Sequence, residues 1–161
     1  MKRTNKRLIL CVTLLICLLA FIWGNSLLPG DESGDLSGFV GKILGTLLPF
    51  LDLTTGIGSF ILRKFAHFSE FAALGLVLCW FFGMTQRRKW LAHLLPLGCG
   101  IIVAGIDETI QIFSPGRHAS IVDVGIDSAG ALTGIVFLLI ITILCRNWNK
   151  KSRMHYDMLP P

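Results

Sequence analysis

The sequence predicts an all-α polytopic membrane protein: a four-helix transmembrane bundle with a short interfacial amphipathic helix on the outer face. Three observations lead there. The 161 residues are 53% hydrophobic and only 16% charged, whereas a soluble domain carries about 25% charge. The apolar residues fall into long blocks, each near the ~20 residues that carry a helix across ~30 Å of hydrocarbon. The basic residues cluster beside those blocks instead of spreading over a surface. A net charge of +5 therefore reads as a topology signal before it reads as nucleic-acid affinity.

The first expected span runs from Leu8 to Leu28, after Lys2, Arg3, Lys6 and Arg7. Its apolar run is long for a signal-peptide core, and no small-x-small cleavage site follows, so an uncleaved anchor is expected. The outer segment that follows carries Leu36, Phe39, Val40, Ile43, Leu44, Leu47 and Leu48 at helical spacing before Pro49. It is too short to span and is expected to lie on the membrane surface. The second span is expected at residues 60–82, the third at 90–113 and the fourth at 121–145. They are separated by the basic "TQRRK" loop and the "SPGRHAS" turn, and followed by the basic tail 146–161. Eleven of the fifteen Lys and Arg lie in the three basic clusters. Basic flanks stay in the cytoplasm, so both termini are expected inside and the "SPGRHAS" turn outside. Trp80, Trp90 and Trp148 are expected at the inner boundary and Trp23 near the outer one. The five cysteines form no CxxC pair and read as small buried hydrophobes.

Polar residues inside the spans carry the functional signal. On a helix advancing about 100° per residue, Arg63, His67 and Glu70 share one stripe, which Leu74 prolongs. Lys64 lies off it and is expected to snorkel outward. Asp107 and Gln111 share a face of the third span, with Glu108 beside it; Asp123, Asp127, Gly130 and Gly134 share a face of the fourth. Gly98, Gly100 and Gly105 are expected to thin the third span for close packing. Glu70 is deepest, about 15 Å from the start of its span. A charge at that depth costs at least ~2.5–3.5 kcal/mol, tolerable only if the groups face one another or water. A structural polar core is the plain alternative. Interhelical hydrogen bonds average only ~0.6 kcal/mol, however, which is a weak reason to carry so many.

Arg63, Lys64 and Arg117 oppose Glu70, Asp107, Glu108, Asp123 and Asp127, a net −2 if all are ionised. A protonated His67, a retained proton on Glu70, a metal ion or a cationic ligand would supply the difference. Pro115-Gly116 is a tight-turn dipeptide that presents Arg117 at the rim, where pairing with Asp123 or binding an anionic headgroup are both open.

The stretches "RKFAHFSEFAALG" and "DETIQIFSPGRHASIVDVGIDSAGALTG" resemble the VanZ-like family of bacterial membrane proteins (the teicoplanin-resistance protein VanZ-like domain). The resemblance spans residues 63–134 and rests on Lys64, His67, Glu70, Asp107, Glu108, Gln111, Pro115, Gly116, Arg117, Asp123, Gly130 and Gly134. Asp127 stands where the family carries Asn or Asp. The resemblance implies one VanZ-like domain over residues 1–161 in a bacterial plasma membrane, near cell-wall precursors. The founding member contributes to teicoplanin resistance, and the family has no established reaction.

Two classes of function follow from the residues. In the first, Arg63, Lys64, His67, Glu70, Asp107, Glu108, Gln111, Arg117, Asp123 and Asp127 line an outward pocket that binds an envelope lipid, a lipid-linked wall precursor or a lipoglycopeptide. In the second, an intramembrane hydrolase or transferase uses His67 and Glu70 as a general acid/base pair, with Asp107 and Glu108 orienting water or a metal. Beside these two stands a third reading, a proton-coupled lipid carrier, since buried His and carboxylates suit a relay; four spans are few for alternating access unless the protein is a homo-oligomer. No activated nucleophile is visible, because Ser69 faces away from the His67 stripe. No established metal-ligand spacing is present, so no metal site is assigned and no cofactor is required.

Overall fold

A computed structural model describes residues 2–29 and 56–157. The interfacial helix expected around residues 36–48 lies outside the described residues. The described chain forms four helices and no strand: α1 (Lys2–Leu27), α2 (Gly56–Thr85), α3 (Lys89–Gln111) and α4 (Ile121–Asp157). All four are long and apolar enough to cross a membrane, over Asn5–Leu27, Phe60–Thr85, Trp90–Gln111 and Ile121–Trp148. The helical state follows from the solvent, since hydrocarbon offers no partner to an open backbone. α4 does not stop at its apolar boundary. It continues through the basic "RNWNKKSR" stretch, which has no Gly or Pro to end it.

Short links make α2, α3 and α4 sequential neighbours. Residues 86–88 join α2 to α3, and Gln86 N–H donates back to Phe82 O, closing the last turn. At the other end, Phe113, Ser114 and Arg117 N–H groups close successive turns onto Ile110, Gln111 and Ser114 carbonyls. Gly116 has φ 73°, the left-handed region that the Pro115-Gly116 dipeptide predicts and that a glycine enters without steric cost. The Ser120 carbonyl then accepts from Asp123 and Val124 N–H and starts α4.

α2 is the central helix and packs against α1, α3 and α4. Its Phe71, Leu74 and Leu78 form the core with Ile22 of α1 and Ala104 of α3. Leu74 thus carries the stripe of Arg63, His67 and Glu70 on into the apolar core, as its angular position predicts. Trp23, near the end of its span, turns toward the bundle. It packs against this core, and its indole N–H has no partner.

The α2–α4 contact is backbone-close. A Cβ on Gly130 would run into the Phe68 carbonyl, one on Gly134 into the Ala72 carbonyl, and one on Gly75 into the Ala131 carbonyl. Small residues on both helices therefore set their separation. The expectation for α3 needs correction. Only Gly100 faces a neighbour, the Ala131 side chain, whereas Gly98 and Gly105 face open space. The cysteine reading also holds only in part: Cys11 and Cys79 are buried, Cys99 is half-buried, and Cys17 and Cys145 are exposed on the outside of the bundle. Thiols are apolar enough for lipid-facing positions, so burial inside the bundle was not required of them. Large side chains such as Ile102 (63% exposed) and Phe137 (55%) also point outward, as lipid contact requires.

Candidate functional site

The C-terminal turns of α1 and α3 meet the N-terminal halves of α2 and α4 at one end of the bundle. A narrow cleft with about 10 Å³ of room opens between α2, α3 and α4 there. Arg63, Lys64 and His67 enter it from α2, Glu108 and Gln111 from α3, and Asp123, Ile126 and Asp127 from α4. Helical spacing brings each set to one face; the glycine contacts bring α2 and α4 close enough for the faces to meet.

The polar groups form two layers. In the first, Lys64 Nζ is ion-paired with Asp123 Oδ1 and lies 5.1 Å from the centre of the Phe60 ring. This corrects two expectations. Lys64 does not snorkel away but bridges α2 to α4, because the close α2–α4 approach puts Asp123 within reach of its flexible stem. Asp123 therefore pairs with Lys64 and not with Arg117.

The second layer centres on Asp107, which is completely buried. Its Oδ1 accepts from Ser26 Oγ at 2.7 Å and its Oδ2 from Gln111 Nε2 at 2.9 Å. Gln111 Nε2 also reaches Glu108 Oε1 at 3.2 Å, while Glu108 Oε2 accepts from Ser120 N–H at 2.7 Å. Glu108, placed beside the Asp107 face by its helical angle, is thus turned inward and held at both oxygens. His67 Nδ1 stands 4.0 Å from Asp107 Oδ2, beyond hydrogen-bond reach. Neither His67 Nδ1 nor Asp127 Oδ2 has a hydrogen-bond partner.

Glu70, Asp107 and Arg117, expected to line the pocket, are not among the residues lining the cleft but lie behind it. Glu70 Oε1 accepts from Asn25 Nδ2 at 2.9 Å and its Oε2 is buried without a partner. Arg117 is 6% exposed and uses one nitrogen, Nη2, on the Asn25 carbonyl at 3.0 Å. Its Nε and Nη1 are buried and unpartnered. Burial, seconded by the Arg63 charge, lowers the Arg117 guanidinium from its ordinary value against the pull of Asp107, Glu108 and Glu70.

Sequence reasoning assigned the polar cluster to three helices. The structure adds α1 through Asn25 and Ser26, and adds the turn through Ser114, whose Oγ donates to the Ser26 carbonyl at 2.7 Å. The available signal was the polar pair Asn25-Ser26 in the last turns of an apolar helix. Ser69, as expected, points away, with its hydroxyl on the Phe65 carbonyl. His118 is exposed beside the buried Arg117.

The polar end of the bundle thus holds unpartnered donors, unpartnered carboxylate oxygens and a free imidazole nitrogen. Such a site can hold an anion, a cation or both. The family model of VanZ/LLP1 matches residues 11–143. No curated protein and no solved structure matches the chain. The match takes in most of α1, all of α2, α3 and the turn, and most of α4, so the bundle and its polar end are matched as one unit, and the chain belongs to the VanZ/LLP1 family.

Proposed function

We propose that this multi-pass membrane protein binds the anionic headgroup of an envelope amphiphile, such as a phospholipid or a lipid-linked wall precursor, at the cleft between α2, α3 and α4. One observation carries the reading: Arg117 is buried with two guanidinium nitrogens unpartnered. It lies within electrostatic reach of Arg63 and Glu108, which line the cleft. A buried donor left unpaired costs about 1–3 kcal/mol or more when charged, and a phosphate oxygen would remove that cost. A planar guanidinium suits phosphate because it offers two parallel donors.

Size supports a headgroup over a whole antibiotic. The room inside the cleft is about 10 Å³, enough for about one water or one phosphate oxygen and far below the ~300–1,000 Å³ of a drug-sized pocket, so only a small polar group would enter it. Acyl chains would remain among the exposed apolar side chains outside. The basic clusters favour a bacterial plasma membrane with both termini in the cytoplasm, which turns the cleft toward wall precursors. A contribution to glycopeptide (teicoplanin) resistance would then follow from capture of such a precursor.

The test is native mass spectrometry of the detergent-purified protein, with lipids identified after release. A phosphate-bearing lipid should stay with the wild type and be lost by at least about tenfold in Arg117→Ala, the equivalent of ~1.4 kcal/mol. Arg117→Lys should retain part of the affinity, and lose it as pH rises. Burial that lowers the guanidinium acts in the same direction on an amine of ordinary pKa near 10.4, bringing it closer to neutrality. Equal lipid retention in wild type and Arg117→Ala, with the helical content unchanged, would remove the reading.

A further inference from the structure

We propose that His67, Asp107 and Asp127 form a binding site for one divalent transition-metal ion, held by the imidazole Nδ1 and one oxygen from each carboxylate. The three donor atoms come from α2, α3 and α4 and lie within 4.8 Å of one another. This inference stands on donor geometry and does not rest on the headgroup reading.

The separation of His67 and Asp107 is the first argument. A hydrogen bond would draw Nδ1 and Oδ2 to within about 3.2 Å. They stand at 4.0 Å. Two ligands of a tetrahedral zinc-class ion, each about 2.0–2.2 Å from it, stand about 3.3–3.6 Å apart. The gap is too wide for a shared proton and would close onto a shared ion with a movement of about half an ångström. All three donor atoms lie within 4.8 Å of one another, so side-chain rotations that move them by about 1 Å would complete the set.

The unpartnered atoms are the second argument. Asp127 is 1% exposed, yet its Oδ2 has no hydrogen-bond partner; the same holds for His67 Nδ1. Of the nearby cations Lys64 is paired with Asp123, and none donates to His67 Nδ1 or Asp127 Oδ2. A divalent ion between the two buried carboxylates would balance both if they are ionised. Asp107 is also pre-positioned, since Ser26 and Gln111 hold both its oxygens from outside the triad.

The donor set selects the metal class. Imidazole with carboxylates suits Zn²⁺, Mn²⁺ or Fe²⁺, whereas Mg²⁺ and Ca²⁺ prefer oxygen alone. Three protein ligands leave a coordination position open. His67 and Asp127 line the cleft, so that position faces it. No local motif announces the site, because its ligands are 40 and 20 residues apart on separate helices.

The experiment uses the full chain in mild detergent, purified through a histidine-free tag, delipidated and stripped with a chelator, then titrated with Co²⁺. The expected result is one Co²⁺ per chain with visible d–d bands and no near-ultraviolet thiolate band. His67→Gln and Asp127→Asn should each weaken binding by more than about tenfold, and abolish the Co²⁺-dependent rise in thermal midpoint. Both variants keep side-chain volume, and circular dichroism reports whether the helices persist. Native Co²⁺ affinity in helical His67→Gln or Asp127→Asn, binding through a thiolate, or no stoichiometric binding by the wild type would each overturn the proposal. Lipid plays no part in the measurement, so its outcome is separable from that of the headgroup test.

Discussion

The Ser26 hydroxyl donates a 2.7 Å hydrogen bond to Asp107 Oδ1, joining α1 to α3 across 81 positions of sequence. Both residues are fully buried. This bond makes the first helix part of the polar end of the bundle and not merely an anchor. Ser26→Ala should lower stability by about 1 kcal/mol, above the ~0.6 kcal/mol average for interhelical bonds in membranes because the acceptor is a carboxylate. Ser26→Thr, which keeps the hydroxyl, should lose less if the extra methyl is accommodated. Equilibrium unfolding in mixed micelles checks both, and equal stability of Ser26→Ala and wild type would show the bond to be incidental.

Glycines on α3 and α4 predict opposite outcomes for one chemical change. Gly134→Ala puts a Cβ onto the Ala72 backbone, which has no flexible end to move aside. It should cost about 1–3 kcal/mol as overpacking. Gly98→Ala meets nothing within 4 Å. It should be neutral or stabilising by up to ~1 kcal/mol through helix propensity. Thermal midpoints of the two variants, measured side by side, decide whether the α2–α4 approach is as close as described.

The Lys64–Asp123 pair is partly exposed, with side chains 25% and 19% accessible. A coupling of about 0.5–1 kcal/mol is expected, near the top of the range for exposed pairs. A double-mutant cycle with Lys64→Met and Asp123→Asn measures it. A coupling energy of zero would mean that proximity alone, and not attraction, joins these two side chains.

Orientation makes a further prediction. A phosphatase that is active only outside the cytoplasm, fused after Asp35, should be active; fused after Gln86, it should be inactive. The reverse pattern would turn the cleft toward the cytoplasm and away from wall precursors.

Several details were legible from residue type and spacing. The Pro115-Gly116 turn, the close approach at Gly130 and Gly134, and the inward stripe of Arg63 and His67 all follow from local geometry. The partners of Lys64 and Arg117 did not follow. Both side chains are long enough to reach several acceptors, and the choice depends on which helix stands nearest. Asn25 and Ser26 gave only a faint signal, since two polar residues near the end of an apolar run also suit a membrane boundary.

Sequence alone determined that this chain forms four membrane-length helices, which faces of three of them are polar, and where the links turn. Those properties are one-dimensional: hydropathy, helical angle and turn chemistry are written along the chain. Tertiary structure decided that Lys64 meets Asp123, that Asn25 and Ser26 close the cluster, and that His67, Asp107 and Asp127 converge. Such pairings depend on the rotation and vertical offset of one helix against another, which are set by backbone contact at Gly75, Gly130 and Gly134.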